Sequence, residues 1–86
     1  MKFEASTFIE KGDLVLLLND KVVLEGSGRC VLEISKGKNY QVFWEIKGEY
    51  GIKYTISISS PIVAETYLNA EIPITGVETG SKQFKI

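Results

Sequence analysis

The sequence predicts an all-β protein: two antiparallel sheets packed face to face, with about seven strands. Three observations predict it. Turn formers recur at Gly12-Asp13, Asn19-Asp20, Gly26-Ser27-Gly28, Gly37, Gly48 with Gly51, Ser60-Pro61 and Gly76 to Gly80. Most lie about 8 to 11 residues apart, the spacing of strands in a sandwich or barrel. Between them Val, Ile, Thr, Phe, Tyr and Trp are abundant, which suits pleated, half-buried surfaces. No window carries a helical stripe, whereas several alternate with period two. A small closed barrel is the alternative architecture.

The strands are justified in turn. Over residues 2 to 10, Phe3, Ala5, Thr7 and Ile9 share one face, opposite Lys2, Glu4, Ser6, Phe8 and Glu10. Leu14 to Leu18 is apolar on both faces, and Val22, Val23 and Leu24 follow the Asn19-Asp20 turn, so these two pieces are expected to pair as a hairpin. Cys30, Leu32 and Ile34 point inward, with Val31, Glu33 and Ser35 outward. The clearest strand places Tyr40, Val42, Trp44 and Ile46 on one face and Gln41, Phe43, Glu45 and Lys47 on the other. Gly48-Glu49-Tyr50-Gly51 reads as a compact hairpin loop leading to Tyr54, Ile56 and Ile58 on the core side. Residues 65 to 74 offer Thr66, Leu68, Ala70, Ile72 and Ile74 inward, with Pro73 at a sheet edge or just outside the ladder, because it has no N–H to donate. Phe84 and Ile86 alternate with Gln83 and Lys85 at the end.

Composition narrows the function classes. At 86 residues there is room for one core, so a single domain spanning residues 1–86 is expected. Ten Lys and Arg against eleven Asp and Glu leave a net charge of -1, and Arg29 is the only arginine. Duplex binding calls for a basic surplus, so nucleic acid is not an expected partner. No charge run is long enough for a membrane patch, and the longest apolar run, Leu14 to Leu18, is far too short to span a bilayer. Membrane insertion is not expected. The N-terminal residues Met1 to Thr7 lack the apolar stretch of a signal peptide, so a soluble chain is expected, with its compartment unassigned. Cys30 is the only cysteine, and no intramolecular disulfide can form.

Chemistry is equally constrained. The chain has no histidine, which removes the commonest general base and the commonest metal ligand. No Ser-His or Cys-His pair exists to activate a nucleophile, and Cys30 reads as a small buried hydrophobe. Glu33 and Glu45 both point outward on strands expected to be neighbours, but alternating Glu and Lys ordinarily solvate the outer face of a sheet. The Asn19-Asp20 turn offers too few oxygens for calcium. Gly26-Ser27-Gly28-Arg29 has no following helix to hold a phosphate. The expectation is therefore a non-enzymatic protein without catalytic residues, cofactor or metal.

Candidate contact residues remain. Phe8, Phe43, Tyr50 and Tyr67 are aromatic side chains on polar faces or at a turn, where rings stack on sugars or anchor an interface. Clustered on one outer face they would favour a carbohydrate or other small ligand; scattered, they would favour a scaffold. The doubly apolar run poses a second question, because a two-layer sandwich buries one side of each sheet. Val15 and Leu17 need cover from another copy, an adjoining domain or a loop of the same chain, such as residues 77 to 82. The function expected is a protein-interaction or structural module, with a protein partner or homo-oligomer; carbohydrate binding is the alternative.

The separation of Cys30 and Trp44 is similar to that between the B-strand cysteine and C-strand tryptophan of immunoglobulin domains. The resemblance covers about fifteen residues and implies a Trp packed in the core of a sandwich. There is no second cysteine. The tyrosine-corner pattern would fall on Tyr67-Leu68-Asn69, which is too soon after Trp44.

Overall fold

The structure, a computed structural model covering residues 1–86, contains eight strands and one 3-10 turn. The strands are β1 (Lys2–Ile9), β2 (Asp13–Leu18), β3 (Lys21–Glu25), β4 (Gly28–Glu33), β5 (Asn39–Lys47), β6 (Lys53–Ser60), β7 (Thr66–Glu71) and β8 (Val77–Lys85). The 3-10 turn is Ile62–Ala64, between β6 and β7. Two antiparallel four-stranded sheets pack together: sheet I in the order β4-β1-β6-β7 and sheet II in the order β3-β2-β5-β8. This is a β-sandwich and not a closed barrel, since neither β3 with β4 nor β7 with β8 forms a ladder. No helix is long and apolar enough to cross a membrane.

The inward sets follow the period-two reading. Phe3, Ala5, Thr7 and Ile9 are all buried, as are Leu14, Leu16 and Leu18, Val42, Trp44 and Ile46, and Tyr54, Ile56 and Ile58. At one end of the core Phe84 stacks between Phe3, at 6.4 Å between centroids, and Tyr40, at 5.5 Å. These are offset aromatic distances that contribute beyond area alone. The Tyr40 hydroxyl accepts from the Ser35 N–H at 2.9 Å, so its polar tip is satisfied. Thr7 is the one buried polar side chain, and it donates to the Gly26 carbonyl at 2.6 Å. Beside it the Ser27 hydroxyl accepts from Ile9 N–H at 2.9 Å and donates to Ile9 C=O at 3.3 Å. The two contacts pin the crossing between β3 and β4 to the end of β1.

The expected hairpin of β2 with β3 forms. Asn19 and Asp20 both have positive φ, 48° and 66°, the two-residue geometry that matches strand twist and that Asn and Asp tolerate. A bulge opposite Leu16 and Leu17 inserts one extra residue, Val23, into β3. At the β1–β2 corner Gly12 has φ +110°, and a Cβ there would stand 2.6 Å from the Lys47 carbonyl, so only glycine fits.

Several expectations are corrected. Residues 48 to 51 are an arch and not a hairpin loop: β5 pairs with β2 and β8 while β6 pairs with β1 and β7, so the chain crosses between sheets there. Ile74 is exposed rather than inward, because β7 ends at Glu71 and the chain turns at Pro73 to Gly76. Residues 77 to 82 are not a loop. They begin β8, the edge strand that pairs with β5 on the side away from β3. Gly80 accordingly lies within a strand and not at a turn. It stands opposite Trp44, and a Cβ on it would come within 2.5 Å of the indole Cε2, Cζ2 and Nε1. The glycine is there because a ring lies against its backbone.

Candidate functional site

Strand register brings Val15, Leu17 and Phe43 together on the outer face of sheet II. One row across β3, β2, β5 and β8 reads Val22, Leu17, Phe43, Ser81; the next reads Glu25, Val15, Glu45, Thr79. Directly opposed side chains on one face sit about 4.5–5.5 Å apart at Cβ, so Val22, Leu17 and Phe43 are contiguous, with Val15 alongside. Val15 and Leu17 are half-buried with cross-strand neighbours on both sides, while Val22 and Phe43 are exposed. Residues 77 to 82 do not cover this surface, because they are part of the sheet that forms it. Around the patch lie Glu25, Glu45, Gln41 and Lys47, with Lys47 Nζ 3.6 Å from Glu45 Oε1. An apolar centre with a polar rim of both signs is the anatomy of a protein contact surface. Val22 was not among the residues singled out from the sequence. Its phase is lost at the Val23 bulge, which period-two reading does not detect.

The remaining aromatic candidates do not join this patch. Phe8 and Tyr67 lie on the outer face of sheet I, in the adjacent rows Phe8, Thr55, Asn69 and Ser6, Ser57, Tyr67. They stand on β1 and β7, two strand spacings or about 10 Å apart, with Thr55 and Ser57 between. Tyr50 is on the arch after β5 and is 70% exposed. The four rings thus occupy three surfaces. Glu33 and Glu45 are not neighbours as expected: β4 belongs to sheet I and β5 to sheet II. Cys30 faces inward opposite Ala5 and is partly buried. Burial pushes its thiol up from the usual value of 9.0, partly offset by a hydrogen bond to the Ala5 backbone. It is held as the thiol, the unreactive form. No group of three or more His, Cys, Asp or Glu side chains is placed to hold a metal ion.

A second feature lies where the sandwich is open, between the unpaired edges of β7 and β8. Trp44, Tyr54, Leu68, Ala70, Glu71, Glu78, Thr79 and Gly80 line a groove of about 330 Å³ there. Glu78 opposes Ile46 in the register, so it occupies an inward position on β8, in phase with Gly80, Lys82 and Phe84. Tyr54 is 2% exposed and Trp44 8% exposed, yet neither the Tyr54 hydroxyl nor the Trp44 indole N–H has a hydrogen-bond partner within the chain. No side-chain nitrogen or oxygen is both sealed from solvent and unpaired. Both polar tips therefore reach the groove that their rings line. Burial, and after it the negative charge of Glu78, pushes the Tyr54 phenol above its usual 10.0. Sequence reading found Trp44 and Tyr54 only as core residues. The signal available was Glu78, a carboxylate in the inward phase of the last strand.

Fold and surface together define an eight-stranded β-sandwich with an apolar outer face on one sheet and a polar-lipped groove at one open side. No family model, curated protein or solved structure matches the chain.

Proposed function

We propose that the protein is a non-enzymatic interaction module that associates with a second copy of itself through the outer face of sheet II. The observation that carries this is the contiguous row Val22, Leu17, Phe43 with Val15 beside it. An apolar patch used twice about a two-fold axis meets its own chemistry, so self-association needs no separate complementary surface. The rim supports the same occupant. Glu45 is paired with Lys47, and a net charge of -1 gives two copies little reason to repel. Four side chains fall short of the ~800 Å² per partner of a standard interface, so the association is weak and concentration-dependent.

The absence of histidine and the unreactive Cys30 thiol support the non-enzymatic part of the reading. Dispersal of Phe8, Phe43, Tyr50 and Tyr67 over three surfaces favours a scaffold over a sugar-stacking platform. The placement of Cys30 and Trp44 in opposite sheets supports an immunoglobulin-like architecture in the loose sense, which carries no activity with it.

Sedimentation equilibrium over a concentration series tests the reading. The wild type should show a monomer–dimer equilibrium, and Leu17→Lys should abolish it while keeping the far-ultraviolet circular dichroism spectrum. Ser6→Lys, on the opposite outer face, should leave it intact. A wild type that stays monomeric up to about 1 mM, a weak-affinity limit, overturns the proposal, as does a Leu17→Lys variant that associates normally.

A further inference from the structure

The groove between β7 and β8 has features that packing alone does not require. An inward charge on an edge strand is a known device against edge-to-edge aggregation, and β8 carries two, Glu78 and Lys82. Lys82 is satisfied: its ammonium donates to the Glu65 carbonyl at 2.8 Å and ties β8 to the chain entering β7. Glu78, four residues earlier on the same face, has neither an ion-pair nor a hydrogen-bond partner. Beside it open two polar tips on rings more than nine-tenths buried, the Tyr54 hydroxyl and the Trp44 indole N–H. Polar groups of buried side chains are ordinarily paired, and here two unpaired tips and the exposed Glu78 carboxylate meet at one cavity of about 330 Å³.

We propose that this groove receives the basic side chain, lysine or arginine, of a partner polypeptide. The chemistry of each wall fits that occupant. Glu78, in the inward phase of β8, supplies a carboxylate with no ion-pair partner. The Tyr54 oxygen accepts a further N–H from an ammonium or guanidinium group. Leu68 and Ala70 offer apolar surface to the aliphatic stem, which such side chains bury while the charged end stays polar. The Trp44 N–H can only donate, which suits it to a carbonyl of the partner's backbone as it passes the groove. The negative field of Glu78, already felt by the Tyr54 phenol, has the sign that draws a cation. A single carboxylate makes a poor metal site, which leaves an organic cation as the matching charge.

The test uses the single tryptophan of the chain, which gives one indole N–H resonance in a nitrogen-15 correlation spectrum. The probe is the capped tripeptide acetyl-Gly-Lys-Gly-amide, with acetyl-Gly-norleucine-Gly-amide as the neutral control. The lysine peptide should shift the Trp44 indole and the Gly80 amide saturably, and added salt should weaken the effect; the norleucine peptide should not shift them. Glu78→Gln should weaken binding about three- to tenfold, the range for losing one partly solvated charged contact, and Tyr54→Phe should weaken it by less. Glu33→Gln, on the distant edge strand β4, should change nothing. Absence of a shift up to about 10 mM peptide, equal shifts with norleucine, or an unaffected Glu78→Gln protein overturns the proposal. So does a response of the same resonances to calcium chloride or glucose in place of the peptide. Glu78→Gln should not alter self-association through sheet II, so failure here and failure of that reading are separable.

Discussion

Replacing Gly80 by alanine opposes two effects whose balance follows from the structure. Gly80 lies within β8 and does not adopt the left-handed backbone region. On backbone grounds alone, alanine in such a position stabilises by ~0.4–1 kcal/mol, because the unfolded chain loses freedom. Against that, the new Cβ would stand 2.5 Å from three atoms of the Trp44 indole, about 1 Å inside the 3.5–4.0 Å optimum for carbon contacts. The ring is held in the core and β8 is held in register by β5, so neither side yields freely. Overpacking of this kind costs ~1–3 kcal/mol. The net expectation is a loss of ~1–2 kcal/mol, or a Tm lower by about 4–16 °C for a domain of this size. Thermal and urea denaturation followed by circular dichroism measure it. Gly28→Ala is the comparison: its Cβ meets only the mobile end of Leu24 at 3.2 Å, and its stability should stay near wild type. In a Trp44→Phe background, which removes Cζ2 and Nε1, Gly80→Ala should cost much less, a coupling that a double-mutant cycle reads directly. A Gly80→Ala protein as stable as wild type would refute the account of Trp44 lying against that strand.

Three further outcomes are expected. Ser27→Ala removes both hydrogen bonds to Ile9 and should cost ~1–2 kcal/mol in urea denaturation; an unchanged midpoint would show that water replaces them. Tyr54 and Cys30 hold their protons more tightly folded than unfolded, relative to usual values of 10.0 and 9.0. The unfolded chain therefore releases them first, and their contribution to stability is complete below those values and declines as pH rises through and above them. Tm measured across the alkaline range should fall, and Tyr54→Phe should flatten the part of the decline above the usual tyrosine value. Exhaustive chelation should leave Tm unchanged, since a metal bound only to the native state would have raised it; a drop of several degrees would reveal a missed site.

Faces were legible in the sequence where partners were not. Alternation at Tyr40 to Ile46 and at Tyr54 to Ile58 placed every inward side chain correctly, because one buried face per sheet fixes the phase. Alternation says nothing about which strand lies alongside. Nothing in it separates Glu33 from Glu45, or an arch at Gly48 to Gly51 from a hairpin loop. Glycine was ambiguous for a related reason: at Gly12 it serves a backbone turn and at Gly80 a neighbouring ring, and local sequence does not distinguish the two. The apolar outer face of sheet II was half legible. Leu14 to Leu18 announced apolar side chains on both faces, but Phe43 and Val22 joined Leu17 only through the register of three strands. The groove left one signal in the sequence, Glu78, and no outline, because it exists where β7 and β8, adjacent in the chain, fail to pair.

The order in which the chain visits its two sheets bears on how it reaches them. Five of the seven connections pass from one sheet to the other, and only β2–β3 and β6–β7 join strands that pair. Those two hairpins can close within microseconds. Every other ladder waits for distant segments to meet: β1 needs β4 and β6, and β5 needs β2 and then β8. Chains dominated by such pairings fold in milliseconds to seconds. Throughout that interval Leu14 to Leu18 has only β3 beside it, with both of its apolar faces in water. The segment that supplies the core of sheet II is thus also the one most prone to pair with another unfolded molecule. Placing Lys11 and Asp13 before it and Asp20 and Lys21 after it puts charges at both ends of the run, which keeps strangers from adding to it while its own partners arrive.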